Sequence, residues 1–200
     1  LGYFQRVADV PAAADRTPGL DLVRRTTGGG AIHHARELTF SIAASLEHPL
    51  YAGPIANSYR RVHALIAEAL AEFGVDATPR GEQPAASDRD GTGMCFHASH
   101  PLDLGWGEDW RKGVGSAQRR KHGRVLHHGS IKLAPDPLEP GVATPWTLPS
   151  PHDVGAALVD VLAGGLEQDP EPWELNADAR AAVNHTHRAM FRDEAFVLRR

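Results

Sequence analysis

Cysteine is almost absent. The 200-residue chain holds one, Cys95, which excludes an internal disulfide and, with no Cys-x-x-Cys pair, a thiolate-clamped metal of the zinc-finger kind. A single thiol fits a reducing compartment, so cytoplasm is the expected location. No uninterrupted apolar run approaches the roughly 18 to 20 residues of a membrane helix, so no membrane span is expected. Positive charge is not in surplus either: 21 Lys and Arg stand against 25 Asp and Glu, for a formal charge of −4. That excludes global attraction to nucleic acid and leaves electrostatic steering to a local patch. Neither a basic leader nor a signal-like apolar stretch opens the chain.

What remains is the composition of a soluble globule, 42% hydrophobic and 23% charged. The length suits one domain over residues 1–200. Leu38 to Leu46 alternates, with Leu38, Phe40, Ile42, Ala44 and Leu46 on one face and Thr39, Ser41, Ala43 and Ser45 on the other, which predicts a half-buried strand. From Ile55 to Phe73 the apolar residues Ile55, Tyr59, Val62, Leu65, Ile66, Ala69 and Leu70 recur at three and four, predicting an amphipathic helix ended by Gly74. His63 on that helix is expected at the surface. Further strands are predicted at Leu20 to Arg25, Met94 to Ala98, Gly113 to Gln118 and Arg124 to Leu133, with a hairpin cap between Ser99 and Trp110. Pro11 to Gly19 reads as a short helix or loop, Pro79 to Gly93 as a mobile loop, and Pro135 to Pro151 as an extended surface crossing. Two helices close the chain: one along Val154, Ala157, Leu158, Val161, Leu162 and Leu166, and one capped by Asn176. Strands interleaved with helices indicate an α+β domain with a central mixed β-sheet flanked by helices.

The chemistry concentrates between Met94 and Ile131. Cys95 is either a buried small hydrophobe or a nucleophile. Lys112 is followed by Gly113 and Gly115, which leave room for a substrate carbonyl beside an ammonium group; the alternative is a wet basic face formed with Arg111, Arg119, Arg120, Lys121 and Arg124. Unlike arginine, a lysine can shed its proton where the site lowers its pKa. Upstream, Arg24 and Arg25 lead into Gly28-Gly29-Gly30, a plain turn or a loop whose N–H groups reach an acyl or phosphate oxygen. The adjacent pairs His33-His34 and His127-His128 point to opposite faces if they lie on strands, so neither pair chelates one metal, and no metal site is expected.

In this order, Cys95-Phe96, Lys112 to Gln118 (Lys-Gly-Val-Gly-Ser-Ala-Gln) and His128-Gly129-Ser130-Ile131 resemble the biotin/lipoate A/B protein ligase family, and within it the cysteine-dependent octanoyltransferases. Leu1-Gly2-Tyr3-Phe4-Gln5 is similar to a segment that follows an N-terminal strand and helix in that family, and the likeness runs to about Leu133. The resemblance implies the biotin-synthetase-like, class II synthetase-like fold, and a catalytic pair in which Cys95 carries the acyl group as a thioester and Lys112 holds the carbonyl oxygen. It also implies an acyl pocket lined by Arg25, Gly28, Gly29, Gly30, His34, Gly115, Ser116, His128, Gly129 and Ser130. His128 and Ser130 are expected to share a strand face with Lys112. The implied partners are octanoyl-acyl carrier protein as donor and a lipoyl-carrier protein (glycine cleavage H protein or a lipoyl domain) as acceptor, with no cofactor. Glu37 to Ser41 and Gln118 lean to the transferases, whereas glycine at position 30 is a ligase-like choice. Two alternatives stay open: an ATP-dependent lipoate-protein ligase, and a non-catalytic module that binds carrier domains or an acyl ligand. Ser99-His100-Pro101 departs from the Pro-Ser pair usual after the family cysteine.

Overall fold

A computed structural model of the chain describes residues 1–14, 18–145 and 149–198. Parts of the predicted segments at Pro11 to Gly19 and Pro135 to Pro151 therefore lie outside the described residues. Five strands form one sheet in the order β1-β5-β4-β3-β2: β1 (Glu37–Ser45), β2 (Thr78–Pro79), β3 (Leu104–Trp106), β4 (Arg111–Lys121) and β5 (Arg124–Lys132). All four pairings are antiparallel. Among the described residues the parallel component expected of a mixed sheet is a single bridge between Ala31 and Met94. β4 turns into β5 through His122 (φ 50°) and Gly123 (φ 71°), a two-residue hairpin loop of the kind that matches strand twist.

Helices α2 (Ile55–Ala71) and α3 (Pro151–Leu166) pack on each other and on one face of the sheet. Apolar spacing on α2 buries Val62, Ile66, Ala69 and Leu70 against Phe40, Ile42, Val114 and Ile131, each large side chain contributing about 1.5–3 kcal/mol. Gly74, at φ 71°, turns the chain out of α2, with Val75 N donating to Leu70 O. Ser150 caps α3 by accepting from Asp153 N, and Asn176 caps α4 (Ala177–Thr186) by accepting from Ala179 N. The sheet's other face carries the connections: the glycine loop, the Cys95–His97 turn and the 133–143 crossing. Among the described residues the remaining α-helices are single turns, α1 (Pro11–Ala14) and α5 (Glu194–Val197).

Several expected elements differ. Leu20 to Arg25 forms no strand; it is tied to the first residues through Arg25 N to Leu1 O and Tyr3 N to Thr27 O. Leu1 to Gln5, which reads in sequence as the end of a strand, turns instead, closed by Gln5 N on Gly2 O. Met94 makes only the bridge to Ala31, and Cys95–His97 coils into a 3-10 turn packed against Gly30. The 135–145 crossing is not a surface feature throughout: Asp136, Glu139, Val142 and Ala143 are buried in it. His63 is buried, since it shares the apolar stripe with Tyr59, Val62 and Ile66.

Candidate acyl-transfer site

Regular alternation along β4 would put Lys112 on the helix side with Val114, Ser116 and Gln118. A β-bulge prevents it. Leu104 pairs with Val114 but Gly105 pairs with Lys112, so Gly113 is an extra residue in β4 and Lys112 joins the face of Gly115. Gly113 accommodates the bulge because any Cβ there would collide with the Trp106 ring.

On that face the Lys112 ammonium meets the cysteine. Lys112 Nζ lies 3.6 Å from Cys95 Sγ, 2.8 Å from Cys95 O, 3.3 Å from Ala98 O and 2.6 Å from Asp103 Oδ2. A Cβ on Gly115 would sit 3.5 Å from both Sγ and Nζ, so glycine keeps the space beside the pair open. Cys95 is half-buried, neither sealed in the core nor fully wet. Burial acts to lower the Lys112 pKa, but the sulfur and the Asp103 carboxylate outweigh it and the net shift is upward. The condition under which a lysine sheds its proton is therefore not met here: its chemistry is that of a fixed positive charge.

The glycine loop is built around Arg25, whose Nη2 donates to Gly28 O and Gly30 O, both at 2.7 Å, while Nε donates to Thr27 Oγ1 at 3.1 Å. Gly29 adopts φ 91°, and a Cβ on Gly30 would stand 2.7 Å from Cys95 N. Glycine at 30 is thus what seats the cysteine-bearing turn. Burial pushes the Arg25 pKa down against the opposing pull of Cys95 and Tyr59. Arg24 points elsewhere, clamping Phe196 O, Val197 O, Gly2 O and Gln5 O. His128 Nε2 lies 2.6 Å from Thr27 Oγ1 and joins the loop to β5.

Other expected site residues are engaged differently. Ser116 faces the helices, its Oγ between His63 Nε2 (2.7 Å) and His127 Nε2 (3.0 Å), so it does not line the Cys95 face. Gly129 is also on the helix side, where a Cβ would press on the Phe40 ring at 2.7 Å; its role is packing. Ser130 does share a face with His128, but it is buried and donates to Glu37 Oε1 at 2.8 Å. His34 is half exposed and bonded to Glu37 Oε1 at 2.6 Å, not to the sulfur or the ammonium. His33 bonds Asp136 Oδ1 at 2.8 Å.

Two features went unanticipated. Asp103 arises in a turn with no periodic signal. Lys132, fully buried, is ringed by His33 O (2.7 Å), Asp136 Oδ2 (2.9 Å), Glu37 Oε2 (2.9 Å) and Glu139 Oε2 (2.7 Å). A lysine set between Ile131 and Leu133 at the end of a predicted strand is the one trace of it in the sequence. The Phe96 ring separates this cluster from the site, 4.9 Å from Lys132 Nζ and 5.4 Å from Lys112 Nζ.

The catalytic-domain model of the lipoyl protein ligases A/B matches residues 1–141. The chain belongs to that family. Among relatives of this lipoyl protein ligase A/B domain, "Octanoyltransferase LipM" of Moorella thermoacetica is 41% identical over 134 residues, 66% of this chain and 48% of that protein. "Octanoyltransferase LipM" of Bacillus subtilis is 36% identical over 138 residues, 66% of this chain and 49% of that protein. The chain thus spans about half the length of these relatives. A crystal structure of lipoate-protein ligase A bound with ATP superposes with a TM-score of 0.78 at 22% identity, over 99% of this chain and 80% of that one. A bi-partite lipoate protein ligase from Thermoplasma acidophilum gives 0.76 at 20% identity, over 99% and 78%. At such identities the structural likeness speaks for the α+β class II synthetase-like fold expected of a lipoyl protein ligase A/B domain.

Proposed function

We propose that this domain carries out acyl transfer in protein lipoylation, moving an octanoyl group through Cys95 to a lysine of a lipoyl-carrier protein. The observation that carries the reading is the 3.6 Å approach of Lys112 Nζ to Cys95 Sγ beside the open flank of Gly115. Family membership and the names of the LipM relatives support it. In the first half-reaction the Cys95 thiolate attacks the carbonyl carbon of the donor thioester, and the carrier's thiol leaves with the proton that Cys95 gave up. The Lys112 ammonium stabilises the oxygen of the tetrahedral intermediate. In the second, the acceptor lysine's amine attacks the Cys95 thioester; an amide forms, the carbon–sulfur bond breaks, and the amine's proton returns the sulfur to a thiol. The acyl group arrives already activated, so the cycle needs no nucleotide.

Intact-mass measurement after incubation with octanoyl-acyl carrier protein tests this. The expected result is a gain of one octanoyl group, removed by hydroxylamine and lost in Cys95→Ser. An adduct formed only from free acid plus ATP indicates the ligase. No adduct under either condition indicates a binding module.

A further inference from the structure

Behind the sheet lies a polar chain that the transfer chemistry does not use. His63 Nδ1 is 2.6 Å from Leu102 O, its Nε2 is 2.7 Å from Ser116 Oγ, and Ser116 Oγ is 3.0 Å from His127 Nε2. His127 Nδ1 is 3.2 Å from Gln118 Nε2 and 3.4 Å from Tyr51 Oη. The proton positions in it follow from chemistry alone. A carbonyl oxygen only accepts, so His63 carries its proton on Nδ1 and donates to Leu102. Buried and neutral, it accepts at Nε2 from the Ser116 hydroxyl. Ser116 has then spent its proton and accepts from His127 Nε2–H, and His127 Nδ1 accepts from Gln118.

One end of this chain grips the peptide that leads into Asp103. Asp103 in turn holds Lys112: its Oδ2 accepts from Lys112 Nζ at 2.6 Å and from His100 N at 2.8 Å. An ammonium group has three protons. Two are taken by the short bonds to Asp103 and Cys95 O; the third is shared between Ala98 O at 3.3 Å and Sγ at 3.6 Å, and is the one open to the reaction. The direction of that third proton depends on where Asp103 stands. The charged or titratable neighbours acting on the sulfur are Lys112 from β4, Arg25 from the glycine loop and Tyr59 from α2.

We propose that His63 is a positioning residue for the acyl-transfer pair: by holding Leu102 O from the helix side it fixes Asp103, and so sets the Lys112 ammonium against Cys95. The inference rests on the transferase reading for its purpose, but its test does not require octanoyl transfer. Cys95 is the only thiol, so iodoacetamide labelling across pH reports its thiolate directly. His63→Ala changes no charge at the site. It should slow labelling at pH 7 several-fold, because the ammonium that favours the thiolate no longer stands against the sulfur. His63→Asn, whose amide N–H can replace the Nδ1 donor, should recover most of the rate. In a Lys112→Met background His63→Ala should add nothing. An equal shift in both backgrounds, or no shift in either, overturns the proposal; failure of octanoyl loading with the labelling pattern intact overturns only the transferase reading. If His63→Ala does not fold, His63→Asn against His63→Gln decides it, since Gln cannot present the δ-side donor. Equal labelling by those two contradicts the positioning role.

Discussion

Lys132 is surrounded by more acceptors than it has protons. His33 O and Asp136 Oδ2 take two, leaving the Glu37 and Glu139 carboxylates to compete for the third. Glu139 has no aligned hydrogen-bond partner on either oxygen, and burial pushes its pKa up. Glu37 also carries a burial penalty, but His34, Lys132 and Ser130 outweigh it and its pKa falls. Removing the one cation strands acids in the interior, so Lys132→Met should destabilise the domain by about 3–5 kcal/mol. Urea denaturation measures this, and Glu139→Gln in the same chain should return part of the loss. A change within about 0–1 kcal/mol, the range of a surface pair, would show that the cluster is already neutral.

At the scale of elements, the seam between α2 and the β4–β5 hairpin should give the domain an acid-sensitive core. Burial lowers the His127 pKa from 6.5 to about 3, with help from His63, His128 and Arg120. A base with a depressed folded pKa binds fewer protons folded than unfolded, so its contribution is full above 6.5 and is lost as pH falls toward about 3. Within that window it should add about 1.4 kcal/mol per pH unit to the slope of stability. Denaturation midpoints from pH 7 to 4 in wild type and His127→Gln check it; an unchanged slope in the variant contradicts the assignment. The same element pair was only partly legible in advance. Alternation revealed β1, the strand expected at Arg124 to Leu133 is β5, and the stripe on α2 already contained the position of His63 between Tyr59 and Ile66. The face of Lys112 was not legible, because a bulge breaks the period-two count and is visible only once β3 is paired.

For the molecule as a whole, the hairpin tip presents exposed Lys121 and Arg124 beyond the arginines that tie it down, Arg119 on Thr26 O and Arg120 on Gly53 O. If the proposed acyl donor is an acidic carrier, this tip steers it. The double variant Lys121→Glu, Arg124→Glu should raise KM for octanoyl-acyl carrier protein about three- to tenfold at low salt, with kcat unchanged and the difference shrinking at high salt. Steady-state kinetics at two ionic strengths read it out, and a salt-independent effect argues for docking elsewhere. Among the described residues no helix is long and apolar enough to cross a membrane.

By itself the sequence determined the α+β class, the amphipathic α2, the β1 and β5 strands and the order of Cys95, Lys112 and His128, since periodicity and residue type are local properties of a chain. Tertiary structure decided which of those residues meet. Gly113 moved Lys112 across the sheet, Gly30 admitted the cysteine turn, and Ser116 and Gly129 went to the helix side because alternation on β4 and β5 assigns each residue one face. Asp103, Glu37 and Glu139 found their lysines through loops and strand pairings, and contacts made across long stretches of chain leave no mark on the local pattern.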